Sequence, residues 1–303
     1  MADCSTDLCG VLLKNPVIAA SGTYGYGMEY NEFYPVSSLG AISCKGTTLA
    51  MRQGNPSPRI METASGMLNS VGLQNPGIDT FMDTYLPWLK KQGATVILNI
   101  AGHSLEEYCA MAERVSESDV DLVELNISCP NVKEGGVNFG TSCDSVFRVT
   151  EQVRKRCKKP LIVKLTPNVT SIGDIAVSAQ DAGADAVSLI NTLTGMRVNI
   201  HTRRPMLRNN TGGMSGPAVF PVAVRMVREV YKRVTVPVIG MGGVSTWEDA
   251  AEMMIAGAKA VQVGTANFRD PMACVNIIEG LQQYAESLGL SNISELTGTL
   301  EEW

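Results

Sequence analysis

PVIGMGGVSTWEDAAEMMIAGAKAVQVGT, residues 237–265, reads as one complete unit of a repeating architecture. An apolar run at 237–243 gives way to an amphipathic helical pattern over 247–255, and a second apolar run follows at 260–265. Ser245 with Glu248 has the hydroxyl-to-carboxylate spacing that satisfies free backbone N–H groups at a helix start. In GAK, beginning at 257, glycine stands where a helix ends in a left-handed residue. The unit is strand, helix, strand.

The same punctuation recurs on either side. Ser104 with Glu107 and Ser171 with Asp174 repeat the cap, and GAT from 93 and GAD from 183 repeat the return to an apolar strand. Further strand-like runs are VIAAS at 17–21, AISCKG at 41–46, TVILNI at 95–100, LVELNIS at 122–128, LIVKLT at 161–166 and AVSLINT at 186–192. Helical patterns over 105–115, 146–157, 172–182 and 218–230 lie between several of them. Strands apolar on both faces and alternating with helices predict an α/β protein, a closed (β/α)8 TIM barrel formed by a single domain over 1–303. An open doubly wound sheet is the alternative. The barrel is preferred because polar residues recur at the carboxyl ends of the strands: Ser21, Lys45, Asn99, Asn126, Lys164, Asn191, Gly242 and Thr265. A barrel gathers such positions on one face, whereas an open sheet spreads them along a line. Two long connections, 47–80 and 193–221, are expected to roof that face, and NVKEGGVNFG at 131–140 is a candidate lid.

Composition narrows the function. With 303 residues, 45% apolar content and a formal charge of −5, the chain reads as a globular protein without the basic footprint that nucleic acid demands. RKRCKK at 154–159 is the densest basic cluster and reads as a solvated helix end. No apolar run approaches the roughly 20 residues of a membrane span, and the first 30 residues lack the pattern of a secretion signal. Eight scattered cysteines form no paired framework and no short-loop metal motif, which suits a reducing cytosol. Any iron–sulfur centre is therefore expected on a partner.

The chemistry concentrates at the predicted strand ends. Gly242 and Gly243 after the seventh strand, and Gly264 and Thr265 after the eighth, stand where barrels cradle a phosphate on backbone N–H groups. Lys164 interrupts an apolar strand, and a buried ammonium needs a negative partner. The neighbouring strand ends offer mostly amides and hydroxyls, so a ligand anion such as a reduced flavin is the expected partner, with a core carboxylate as the alternative. Asn69, Asn126 and Asn191, with Asn99 and Thr192, supply neutral groups that donate and accept, matching the edge of a cyclic amide. In ELNISCPN (124–131), Cys129 stands immediately before Pro130, which stops the strand and leaves a thiol at its mouth.

These residues resemble class 1 dihydroorotate dehydrogenase, most closely its class 1B catalytic subunit. NPVIAASGTYGYG (15–27), KGTT (45–48), NPSPRI and GMLNSVGLQNPG (55–77), ELNISCPN, KLTPN (164–168), GGMSGPA (212–218) and GMGGV (240–244) carry the likeness nearly end to end. The resemblance implies one FMN held by Ser21, Lys45, Asn99, Asn126, Lys164, Ile190, Gly216, Gly242, Gly243, Gly264 and Thr265. It implies orotate bound by Lys45, Asn69, Asn126, Asn191 and Thr192, and Cys129 as the base that takes a proton from dihydroorotate. It further implies a cytoplasmic homodimer of this chain, joined in a heterotetramer by a subunit carrying FAD and a 2Fe-2S cluster that passes electrons to NAD. Alternatives are a dihydropyrimidine dehydrogenase-type subunit, a fumarate-using class 1A-like enzyme, an aldolase or isomerase forming a Schiff base at Lys164, and a non-catalytic flavin-binding module.

Overall fold

A computed structural model describes residues 2–128 and 139–303. Eight parallel strands close into a barrel in strict sequence order: β1 (Val17–Ala19), β2 (Ala41–Ser43), β3 (Val96–Ile100), β4 (Leu122–Asn126), β5 (Leu161–Lys164), β6 (Ala186–Leu189), β7 (Val238–Met241) and β8 (Ala260–Val263). The ring is completed where Val261 of β8 pairs with Val17 of β1. All eight expected strands are present, and all but β3, which ends at Ile100 as expected, are shorter at the carboxyl end than the apolar run that predicted them, because residues beyond leave the ladder to line the mouth.

Side chains two apart on a strand share a face, so each strand sends alternate residues into the barrel. At the amino-terminal end this inward set is apolar, with Ile18, Ile97, Leu122, Ile162 and Ile239 forming a cluster with Leu8 and Leu13. Those two leucines belong to an amino-terminal hairpin, Thr6–Leu8 with Val11–Leu13, that plugs the bottom. One layer higher the inward residues are polar: Ser43, Asn99, Glu124, Ser188 and Gln262, all buried. A much larger apolar cluster lies outside the ring, between the strands and the surrounding helices.

The helices Leu105–Ser116, Ile172–Asp181, Phe220–Tyr231 and Trp247–Ala256 follow the predicted spans closely. Cys143–Arg154 starts three residues earlier than the expected 146, since Ser142 accepts from the Ser145 N–H and caps it. Ala273–Ser287, which packs on the helix Trp247–Ala256, has no counterpart in the sequence reading. Ser104 and Ser171 cap their helices as expected. The third cap is corrected by one residue: Thr246 and Asp249 form the capping box, in place of Ser245 and Glu248. Ser245 is drawn back into the preceding turn, where its hydroxyl donates to Gly243 O at 2.9 Å. Thr246→Ala is expected to cost about 1 kcal/mol, read as a shift in the urea midpoint at unchanged slope. Gly93, Gly183 and Gly257 all take the positive φ expected at the helix ends.

The two long connections meet above the barrel. Ile60–Thr63 and Gly66–Asn69 from the first join Gly212–Ser215 and Leu193–Gly195 from the second in one antiparallel sheet, with Gly213 opposite Asn69. RKRCKK proves to be a solvated helix end: Arg154 pairs with Asp185, Lys155 with Glu151, Arg156 with Glu113 and Lys158 with Glu117. Among the described residues no helix is long and apolar enough to cross a membrane.

Candidate active site

Between the carboxyl ends of the strands and the antiparallel roof lies a cavity of about 930 Å³, at the upper end of the range for small-ligand sites, roughly 300–1,000 Å³. The strand ends contribute Ser21, Lys45, Asn126, Lys164, Ile190, Asn191 and Thr192 to its wall. Asn69 enters from the roof, and Gly242, Gly243, Gly264 and Thr265 close the far side. Two expected residues stand back from the surface. Asn99 is fully buried beneath it, and Gly216 lies behind Gly243. Cys129 lies outside the described residues, as do Pro130 and residues 131–138 of the candidate lid; Ser128 and Gly140 both line the cavity.

The glycine wall has the form of an anion cradle. Gly242 and Gly243 adopt φ of 121° and 83°, a region that penalises any side chain. A Cβ on Gly243 would come within 2.9 Å of Gly216 O and 2.7 Å of the Phe220 Cβ. No protein acceptor among the described residues meets the main-chain N–H groups of Gly242, Gly243 or Gly264. Bare, unpaired amides at the ends of β7 and β8 fit a phosphate group.

The sequence reading of Lys164 is corrected in one respect, because its negative partner already lies within the protein. Glu124, fully buried on β4, places Oε2 3.9 Å from Lys164 Nζ. Glu124 also accepts four hydrogen bonds, from Ser43 Oγ (2.9 Å) and Asn99 Nδ2 (2.6 Å) on one oxygen and from Ser188 Oγ (2.8 Å) and Gln262 Nε2 (2.7 Å) on the other. Burial pushes its carboxyl toward the neutral form, but Lys164 and these donors outweigh burial and hold it below the usual glutamate range. Glu124 and Gln262 were both missed. The signal was available, since a glutamate inside an apolar strand at i−2 from Asn126 must point into the barrel just as Lys164 does.

Lys45 is the second cation of the cavity. Burial, and then the charges of Arg59 and Lys164, depress its pKa, so an anion beside it would favour the charged ammonium. Three amides form a relay above Glu124. Asn126 Nδ2 donates to Asn99 Oδ1 (3.3 Å), and Asn191 Nδ2 reaches Asn126 Oδ1 (3.5 Å). Gly46 leaves room for this, because a Cβ there would approach Asn99 Oδ1 to 2.9 Å. The expected convergence of Asn126, Asn191 and Asn69 on one cavity is therefore present, with Thr192 N held by Asn191 Oδ1 at 2.8 Å. Unpaired amides, two lysines and a roofed apolar chamber together suit an anionic, planar, hydrogen-bonding ligand beside a phosphate-bearing one.

Comparison with known proteins agrees with this chemistry. The family profile described as dihydroorotate dehydrogenase matches residues 4–284. A protein of Alkaliphilus metalliredigens, named dihydroorotate dehydrogenase B (NAD(+)), catalytic subunit, is 54% identical over 294 residues, 97% of each chain. Proteins of the same name from Petrotoga mobilis and Bacteroides thetaiotaomicron are 49% and 50% identical, each over 99% of this chain and the whole of theirs. By both measures this chain belongs to the dihydroorotate dehydrogenase family.

Proposed function

We propose that the chain oxidises (S)-dihydroorotate to orotate, a step of pyrimidine synthesis, as the FMN-bearing catalytic subunit of an NAD-linked enzyme. The observation that supports this most is the meeting of the glycine cradle, Lys45, Lys164 and the three asparagines in one cavity of a chain matched to the family over 4–284. FMN would lie with its phosphate on Gly242, Gly243, Gly264 and Thr265, its chain along Ser21 and Gly216, and its ring near Ile190, Lys164, Asn99 and Asn126. When bound, it supplies the acceptor for the hydride that leaves C6 of the substrate.

This chain's residues do the rest. Asn69, Asn126, Asn191 and Thr192 orient the ring through its carbonyl and N–H edge, and Lys45 meets an anionic group of the substrate. Cys129 removes the proton from C5, so loss of one proton and one hydride leaves the C5=C6 double bond of orotate. The roof excludes water, which strengthens each of these polar contacts. Residues 1–303 act as one domain, and the free thiols among the described residues suit a cytoplasmic setting. The subunit name borne by the relatives supports a partner, which we take to carry FAD and 2Fe-2S in a heterotetramer built on a homodimer of this chain.

The test is to purify the chain with whatever co-elutes, confirm FMN, and add dihydroorotate. Saturable bleaching of the flavin, with NAD reoxidising it in the co-purified complex, is the expected result. Reoxidation by fumarate in place of NAD would move the enzyme to the class 1A type. A colourless protein that traps substrate on Lys164 with borohydride would overturn the redox reading.

A further inference from the structure

We propose that Glu124 is a positioning residue that fixes the donor and acceptor sense of the amides facing the cavity. Its carboxylate obliges Gln262 to present a carbonyl, and Asn126 to present an N–H group, to the ligands. The inference rests on the reading of this cavity as the FMN and orotate site.

An asparagine or glutamine amide fits its site almost equally well in two orientations that exchange C=O and NH2, so its environment has to choose between them. An ionised carboxylate only accepts, and Glu124 is held in that form. Asn99 must therefore turn Nδ2 down to Glu124, at 2.6 Å, and Oδ1 up toward Asn126. Asn126 must then donate to Asn99, which turns its own Oδ1 toward Asn191 and the Ser128 N–H. The second N–H of Asn126 and that of Asn191 remain for the cavity, where a ring carbonyl or carboxylate can take them.

The same logic runs to the other side of the carboxylate. Gln262 donates Nε2 to Glu124 Oε1 at 2.7 Å, so its carbonyl is turned away. Gln262 Oε1 is buried without a hydrogen-bond partner among the described residues, on a side chain that lines the cavity. A buried orphan acceptor in this position calls for a donor on the ligand, an N–H or O–H of the cofactor. One carboxylate thus sets an acceptor at β8 and a donor at β4, while the Thr192 N–H, donating to Asn191 Oδ1 at 2.8 Å, holds the donor at the end of β6 in the same sense.

Glu124→Gln tests this, because it keeps the shape but turns one accepting oxygen into an NH2 group. The Ser43 and Ser188 hydroxyls can rotate to accommodate it, but one amide, Gln262 or Asn99, has to reverse. If Gln262 reverses, the affinity of the apoprotein for FMN falls; if Asn99 reverses, the affinity of the flavin-loaded protein for orotate falls. Either loss is expected to be about tenfold, the effect of one mismatched buried polar group. The double variant Glu124→Gln with Gln262→Glu returns a carboxylate to the same hydrogen bond and should bring the affinity back to within about threefold of wild type. A purely structural role for Glu124 would not be rescued in this way.

Unchanged affinity for both ligands in Glu124→Gln, or no recovery in the double variant, overturns the proposal. Should Glu124→Gln not fold, Gln262→Met decides, since it keeps the volume and removes the acceptor. Its affinity for FMN should fall about tenfold, and an unchanged value overturns the proposal. Failure of the wild type to bind FMN or orotate would instead remove the function reading, so the two failures are distinguishable.

Discussion

In Cys129→Ala, dihydroorotate turnover is expected to fall by about 10²- to 10⁴-fold, the range for loss of a general base, while the protein stays yellow and still binds orotate. Removing a proton from carbon needs a base of sufficient proton affinity, and a cysteine near its ordinary pKa of about 8.5 supplies one. Ser128, the residue before Cys129 in the sequence, lines the cavity, and its hydroxyl donates to Lys164 O at 3.1 Å. Wild-type turnover should rise toward alkaline pH as the thiolate forms. Cys129→Ser, with a much weaker acid in place of the thiol, should fall between wild type and alanine. Full turnover by the alanine variant would take the thiol out of the mechanism.

Lys164→Met is expected to destabilise the protein by about 3 kcal/mol at neutral pH, the lower end for removing one partner of a buried ion pair. The lower end applies because the 3.9 Å contact is loose and four hydrogen bonds to Glu124 survive. Acid pH separates this effect from simple loss of packing. In the wild type, the carboxyl of Glu124 is held below its unfolded value of about 4.3, so its contribution is complete above that value and is lost as pH falls through the lower folded one. Without Lys164 the largest of the groups that lower the folded pKa is gone while burial remains, so that pKa moves up and acidification takes less stability from the variant than from the wild type. The stability gap between variant and wild type should therefore narrow as pH is lowered from about 7 to below about 4 in urea denaturation. A constant gap over that range would contradict the argument. FMN affinity should fall as well, since Lys164 lines the cavity.

The barrel was legible because its signals are local. Gly93, Gly183 and Gly257 announce helix ends through their own φ, and Ser104 and Ser171 announce helix starts through contacts three residues away. The shift from Ser245 to Thr246 shows the limit: two adjacent hydroxyls offer the same cap, and only the Gly242–Gly243 turn decides which is released to make it. The cavity residues were legible through their place at strand ends. The roof sheet was not, because Asn69 pairs with Gly213, 144 residues away in the sequence, and neither stretch alternates apolar and polar residues. Glu124 escaped notice for another reason. Lys164 was read as a charge in search of a ligand, when the register that places Asn126 beside Lys164 also brings the glutamate two residues earlier within reach.

Glu124 resembles the keystone of an arch. The groups that seat it lie 81 residues before it and 25, 64 and 138 residues away on other staves, the farthest on β8. Its seat is complete only when the first and last parts of the chain have met, so a nascent barrel that has not yet received β8 holds its central acid with one donor missing. Closure of the ring is thereby tied to the same event that readies the pocket floor.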